Sequence, residues 1–285
     1  MANINLYATL AEYKAYSVAR GQTATTDTTD DGVIVDLLEK ASRDLDDMTG
    51  RQFYPTVETR LYDIPGDSEL LLDGYLLSLT TLTNGDATVI TTANYILRPN
   101  NHTPYYMVKL KGDSSVDWEA DTDDDTEQVI SVLGWWGYRR QYSQRAWQSI
   151  GTLGAAITDT TTLAFTMTAG HSVVVGQILK IDSEIYNIAT VATNTITPIA
   201  RGDNGSTAAT HLNGATVYAW KPQEEARGVV LELANSAYQR RFGKATGENA
   251  IDFTRAKVTA AGVVLVPRSL SEESERFINS VARLV

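Results

Sequence analysis

The chain has 285 residues, enough for one large domain or two smaller ones. It contains no cysteine, which excludes disulfides, thiolate metal sites and cysteine nucleophiles. A formal charge of −11 without any cluster of Lys and Arg excludes a basic face that grips duplex DNA, so DNA that meets this chain is repelled rather than held.

No run reaches the roughly 18 apolar residues that a membrane span needs, and no membrane partner is expected. The opening MANINLYATLAEYKAY lacks the basic-then-apolar order of a signal peptide. A first helix is expected over about 5–19, followed by a polar loop from Gln22 to Thr29. The next helix, 31–49, carries Ile34, Leu37, Leu38, Ala41, Leu45 and Met48 at helical spacing. Asp30 and Asp31 favour its start and Gly50 its stop, while Asp36→Lys40, Glu39→Arg43 and Asp47→Arg51 are spaced as surface pairs.

From 57 to 137 the pattern turns to strands. LLSLTTLTNGDATVI suggests a hairpin with Asn84-Gly85 supplying the positive φ angles of a tight turn. NYILRPNNHTPYYMVKL suggests a second hairpin, and EQVISVLGWWGY a further apolar strand ending between Gly134 and Gly137. In that strand Trp135 and Trp136 point to opposite faces, so one belongs to the core and the other is an interface candidate.

Between 148 and 220 there are only six charged side chains, Asp159, Lys180, Asp182, Glu184, Arg201 and Asp203, in a Thr-rich, alternating stretch. That shift predicts a β module inserted into a host domain. Two helices close the chain. One begins after Pro222 with an inner stripe of Ala226, Val230, Leu233 and Ala237, and stops at Gly243. The other, about 270–284, opens on the capping-box spacing Ser269-x-x-Glu272 and presents Phe277, Ile278, Val281 and Leu284 on one side.

The order DDGVIVDLLEKASRDLDDMTGRQF, LLSLTTL…YILRPNN, VISVLGWWGY, a Pro-initiated helix ending QRRF, and PRSLSEESERFINSVARLV resembles the head–tail connector (adaptor, head-completion) proteins of long-tailed bacteriophages. The departure is the insertion after Gly137-Tyr138. VGQILKIDSEIYNIATV…NTITPIARGDNGSTAATHLNGATVYAW is similar to a small β module of phage tail and neck proteins, with turns at Asp182-Ser183 and Thr193-Asn194.

The resemblance implies an α+β fold: a helical adaptor domain with a small antiparallel sheet (1–146 and 221–285), interrupted by an all-β domain (147–220). It implies a structural virion protein of the neck, made in the host bacterial cytoplasm, with about twelve copies in a dodecamer-like ring. The ring joins the portal protein to the tail or head-closure (stopper) protein and lines the DNA conduit, with no enzyme activity and no cofactor. Phe277, Ile278, Val281 and Leu284 are the portal-docking candidates, although the same four could simply pack on helix 222–242. The insertion would face capsid, tail or a decoration protein. The alternative is a tail-associated receptor- or glycan-binding protein, whose platform would draw on Phe165, Tyr186, Tyr218 and Trp220.

The remaining motifs carry little chemistry. Arg201-Gly202-Asp203, an adhesion tripeptide in form, is expected to be a turn between strands. Asn204-Gly205-Ser206 and Asn101-His102-Thr103 match a glycosylation pattern that a phage protein would not use. His171 and His211 could approach one another, but no third ligand follows from spacing, so no metal is expected. Asp121, Asp123 and Asp125 begin like a calcium loop, then fail at Thr126 and Val132 where Gly and Glu are required. Phe242-Gly243-Lys244-Ala245 lacks the flanking residues of a phosphate loop, and no nucleophile–base spacing is present.

Overall fold

The computed structural model describes residues 5–20, 28–142, 146–242, 256–259, 262–265 and 270–282. By contact density the chain divides into two compact units. One comprises 1–53, 147–203 and 207–285, and the other 54–146 with 204–206.

The second of these is one antiparallel sheet of five strands. They are β1 (Thr56–Tyr62), β2 (Glu69–Thr83), β3 (Tyr95–Arg98), β4 (Tyr105–Leu110) and β5 (Ile130–Trp136), in the order β1-β5-β2-β4-β3. The alternation of β5 puts Ile130, Val132 and Trp136 on the core face with Leu70, Leu76, Leu82 and Val108. Asn84-Gly85 does turn the chain, but through a different device. The Ala87 amide closes the turn on the Asn84 carbonyl at 3.0 Å, and the positive φ (64°) lies at Ala87. Gly85 is needed for closeness instead: an added Cβ would fall 2.2 Å from the Glu119 carbonyl oxygen. Asn84 is buried, and its carboxamide ties that segment down by donating to the Asp117 carbonyl (2.9 Å) and accepting from the Glu119 amide (3.0 Å).

The other unit holds the helices and the second sheet. Helix α1 (Leu10–Ala19) starts later than expected because Thr9 and Glu12 form a reciprocal capping box. Helix α2 (Asp31–Thr49) stops at Gly50, which is left-handed at φ 61°. Ile34, Leu38, Ala41 and Leu45 are buried, and Ser42 and Thr49 join that face by donating to the Leu38 and Leu45 carbonyls. Lys40 pairs forward with Asp44 (2.6 Å) and Arg43 with Asp46 (3.1 Å).

The strands β6 (Trp147–Thr152), β7 (Phe165–Thr166), β8 (Ile178–Ile181), β9 (Glu184–Ala192), β10 (Thr195–Pro198) and β11 (Thr216–Trp220) order as β6-β11-β8-β9-β10-β7. Its two end strands meet beyond their ends. Leu153 bridges Met167, Gly154 donates to the Thr166 carbonyl (2.8 Å) and Thr168 to that of Thr152 (2.9 Å). The sheet therefore closes on itself as a small barrel around Leu153, Phe165, Met167, Tyr186, Ile188 and Val217, which removes the open edges that invite aggregation.

Helix α3 (Glu224–Arg241) buries Ala226, Val230 and Leu233 of its predicted stripe and adds Val229, Leu231, Ala234 and Asn235, while Ala237 is only half-buried and the expected stop at Gly243 lies outside the described residues. A hairpin, β12 (Ala256–Thr259) and β13 (Gly262–Leu265), precedes α4 (Glu272–Val281). The α4 cap is Ser271, whose hydroxyl accepts from the Ser274 amide, two residues beyond the expected Ser269, which lies outside the described residues.

The fold-class expectation needs correcting. A helical domain with only a small sheet is not what the chain builds: helices make up 25% and strands 31%, in two antiparallel sheets of five and six strands. The physical cause is β2. It runs for 15 residues and pairs with β5 on one side and β4 on the other, which welds the predicted separate hairpins into one sheet.

Candidate functional site

Glu184 opens β9 at the two-residue turn made by Asp182 (φ 52°) and Ser183, and its side chain is fully out of solvent. Its two oxygens accept five hydrogen bonds. Oε1 takes Arg201 Nε (2.8 Å) and the Gly202 amide (2.9 Å). Oε2 takes Arg201 Nη2 (3.0 Å), the Ala209 amide (2.9 Å) and His211 Nε2 (2.9 Å). Arg201 spends its remaining donors on the carbonyls of Asp159 (3.1 Å), Thr162 (3.0 Å) and Ala209 (2.6 Å), so all five of its N–H groups are used. Burial pushes the Glu184 carboxyl up, but the Arg201, Ala209 and His211 bonds pull it down further, well below the usual carboxylate range.

This arrangement answers what the stretch around Arg201-Gly202-Asp203 does. Arg201 is committed inward, and Asp203 accepts from the Asn187 amide at 2.9 Å, so neither end of the tripeptide is offered to a receptor. In the second unit, Asn204 donates to the Pro55 carbonyl at 3.0 Å, at the start of edge strand β1. Gly205 lies against that strand so closely that an added Cβ would be 2.2 Å from the Val57 carbonyl oxygen. Its φ of 76° adds a second reason for glycine.

The histidines hold separate posts. His211 Nδ1 lies 2.7 Å from Asp182, while His171 Nε2 lies 2.9 Å from the Thr193 carbonyl. Among the described residues no group of three His, Asp or Glu side chains is placed to hold a metal ion. Asp121 folds its loop by accepting from the amides of Asp123 (2.8 Å) and Asp125 (2.9 Å), which is an Asx turn. Phe277, Ile278 and Val281 are buried, with Phe277 5.9 Å from the Phe53 ring, and Leu284 lies outside the described residues. Of the module's aromatics, Phe165, Tyr186 and Trp220 are core. Gly243 to Ala245 also fall outside the described residues.

The two tryptophans of β5 part as the alternation requires. Trp136 is buried, donates its indole N–H to the Glu58 carbonyl (3.0 Å) and has the Arg60 guanidinium 4.2 Å from its ring. Trp135 is half-buried on the opposite face, where it is paired across the strands with Val57 and Ser78. Around it on that face lie Leu133 between Thr59 and Thr81, and Ser131 between Leu61 and Thr83. None of these nine residues is charged, in a chain that is 21% charged, and Leu61 is 54% exposed. A partly exposed face of Trp, Leu, Val and hydroxyl groups has the composition of a protein–protein contact rather than of a solvated surface. Sequence reasoning named Trp135 but missed its neighbours, because only strand pairing brings Val57, Leu61 and Leu133 beside it.

Comparison with family models, with curated proteins and with solved structures finds no match.

Proposed function

We propose that this chain is a structural protein of a tailed-phage neck, a subunit that closes into a ring between portal and tail and surrounds the DNA path. The uncharged face around Trp135 carries this reading, because it gives each copy a surface for its neighbour. The order of sequence elements that resembles connector proteins supports it. So does the net charge of −11, since an acidic lining lets DNA slide rather than stick. In this reading no reaction is catalysed, and the ionisable cluster around Glu184 serves folding. Portal and stopper proteins are the axial partners, and the 147–220 segment contacts capsid, tail or a decoration protein.

The test is electron microscopy of the protein mixed with the portal protein of the same genome, alongside the Trp135→Glu variant. Coaxial annuli on the portal with the wild type, lost with the variant, support the proposal. Bare portals with well-folded wild-type protein overturn it.

A further inference from the structure

His211 is buried between two carboxylates. Its side chain is 1% exposed, with Nδ1 2.7 Å from Asp182 and Nε2 2.9 Å from Glu184. A neutral imidazole has one N–H and one bare acceptor nitrogen, so it satisfies only one of two ionised carboxylates. The other would meet a lone pair at hydrogen-bond distance. Only a ring with a proton on each nitrogen makes both contacts at once.

The backbone of His211 is fixed, since its amide and carbonyl both bond to Ile157, each at 2.9 Å. The two acids, in contrast, differ. Glu184 is fully enclosed, and although burial opposes its ionisation, the bonds from Arg201, Ala209 and His211 hold its carboxyl down at about 2. Asp182 is 66% exposed on the two-residue turn between β8 and β9, at a left-handed φ of 52°. Of the two, only Asp182 has water to turn to. The neighbouring charges have other duties. Arg201 meets both Glu184 oxygens, Asp203 accepts from the Asn187 amide, and Asp159 accepts from the amides of Thr161 and Thr162. Lys180 lies over the Trp147 and Tyr218 rings and feels Asp182 across the turn. The Tyr186 ring is 6.3 Å from the imidazole, and burial keeps its hydroxyl protonated.

We infer that His211 is a proton-operated latch on the β8–β9 turn. With both ring nitrogens protonated it joins Asp182 to the buried Glu184. As pH rises, the proton on Nδ1, the nitrogen beside the exposed acid, passes to water. The Nε2–H bond to Glu184 stays, because losing that proton would set a lone pair against a buried anion. Asp182 then turns outward, and the turn loses its tie to the 211 segment. This is a pH-sensitive element of the kind that histidine suits, a local charge change that biases a two-state contact. It does not depend on the neck assignment, and either can fail without the other.

The test is long-range ¹H–¹⁵N NMR of the full-length ¹⁵N-labelled protein between about pH 5 and 9, where ring shifts report which nitrogen carries a proton. The chain has three histidines, so His102→Gln and His171→Gln assign the His211 signals. The expected result is two protonated nitrogens at the acid end and Nε2 alone at the alkaline end. The Ser183 amide should shift with the same midpoint. Asp182→Asn is the decisive variant, because its carboxamide accepts from an N–H or donates to a bare nitrogen, and asparagine tolerates a left-handed φ. Its turn should stay closed across the range, and the Ser183 shift should be lost. A single protonation state of His211 throughout, loss of the proton from Nε2 instead of Nδ1, or a Ser183 shift unchanged in Asp182→Asn overturns the proposal.

Discussion

The Arg201 guanidinium meets both oxygens of Glu184, at 2.8 and 3.0 Å, with the two side chains 5% and 0% exposed. Each group is costly to bury alone, and neither keeps an unmet donor or charge in the pair. They are 17 residues apart in the chain, and the pair ties the turn before β9 to Arg201. Arg201→Leu leaves the carboxylate buried without its cation and should cost about 3–5 kcal/mol. Urea denaturation of this variant, beside the double variant with Glu184→Leu, measures it. The double variant should recover a large part of the loss, and a single variant as stable as wild type would contradict the role.

Two carboxylates give the stability opposing responses to acid. Burial, the largest cause, raises Asp46 to about 6, although bonds from Tyr7 and Arg43 pull it the other way. A raised carboxyl stabilises the fold below its unfolded value of about 4, and that contribution is lost as pH climbs through 6. The difference is on the order of 2–3 kcal/mol for this mostly buried group. Asp46→Asn keeps an oxygen to accept from Tyr7, so it should flatten the stability curve between pH 4 and 6 and raise stability at pH 7.5. Melting temperatures across that range decide it.

Glu184 acts in the opposite sense. Its lowered carboxyl contributes stability above its unfolded value near 4.3, and loses it as pH falls towards about 2. In Glu184→Gln the acid limb of unfolding between those values should become shallower, a slope that circular dichroism follows directly.

The tryptophans of β5 should separate by assay. Trp136→Ala empties a core position and should cost about 3–5 kcal/mol. Trp135→Ala should change stability by less than about 1 kcal/mol and weaken self-association. Thermal melts and mass photometry distinguish the two, and equal destabilisation would place Trp135 in the core as well.

Gly205→Ala should destabilise by about 2 kcal/mol or more, because the added Cβ meets the Val57 carbonyl and φ is left-handed. Gly214→Ala is the control. Its φ is also positive at 81°, but open space surrounds it, so the milder strain of φ alone, about 1 kcal/mol, should be measured.

Much of the local structure is legible in the sequence. The periodicity of Ile34, Leu38, Ala41 and Leu45 marks α2, alternation marks β5, and the chain turns at Asp182-Ser183 and at Thr193-Asn194, where Thr193 takes a left-handed φ of 52° that a β-branched residue disfavours. The letters of the Glu184 cluster stand in the quoted module pattern, yet the 201–211 stretch is expected there only as a corner. The helical adaptor body was not borne out, because periodicity cannot show that β2 pairs on both sides.

By itself, then, the sequence determined the period of each element, the turns that glycine and asparagine permit, and the absence of thiol chemistry. Those depend on neighbours a few residues apart. Tertiary structure alone decided that the six-stranded sheet closes, that Arg201 faces Glu184, and that Val57, Leu61 and Leu133 gather beside Trp135. Each of these joins residues far apart in the chain, where strand register and burial, rather than local propensity, set which groups meet.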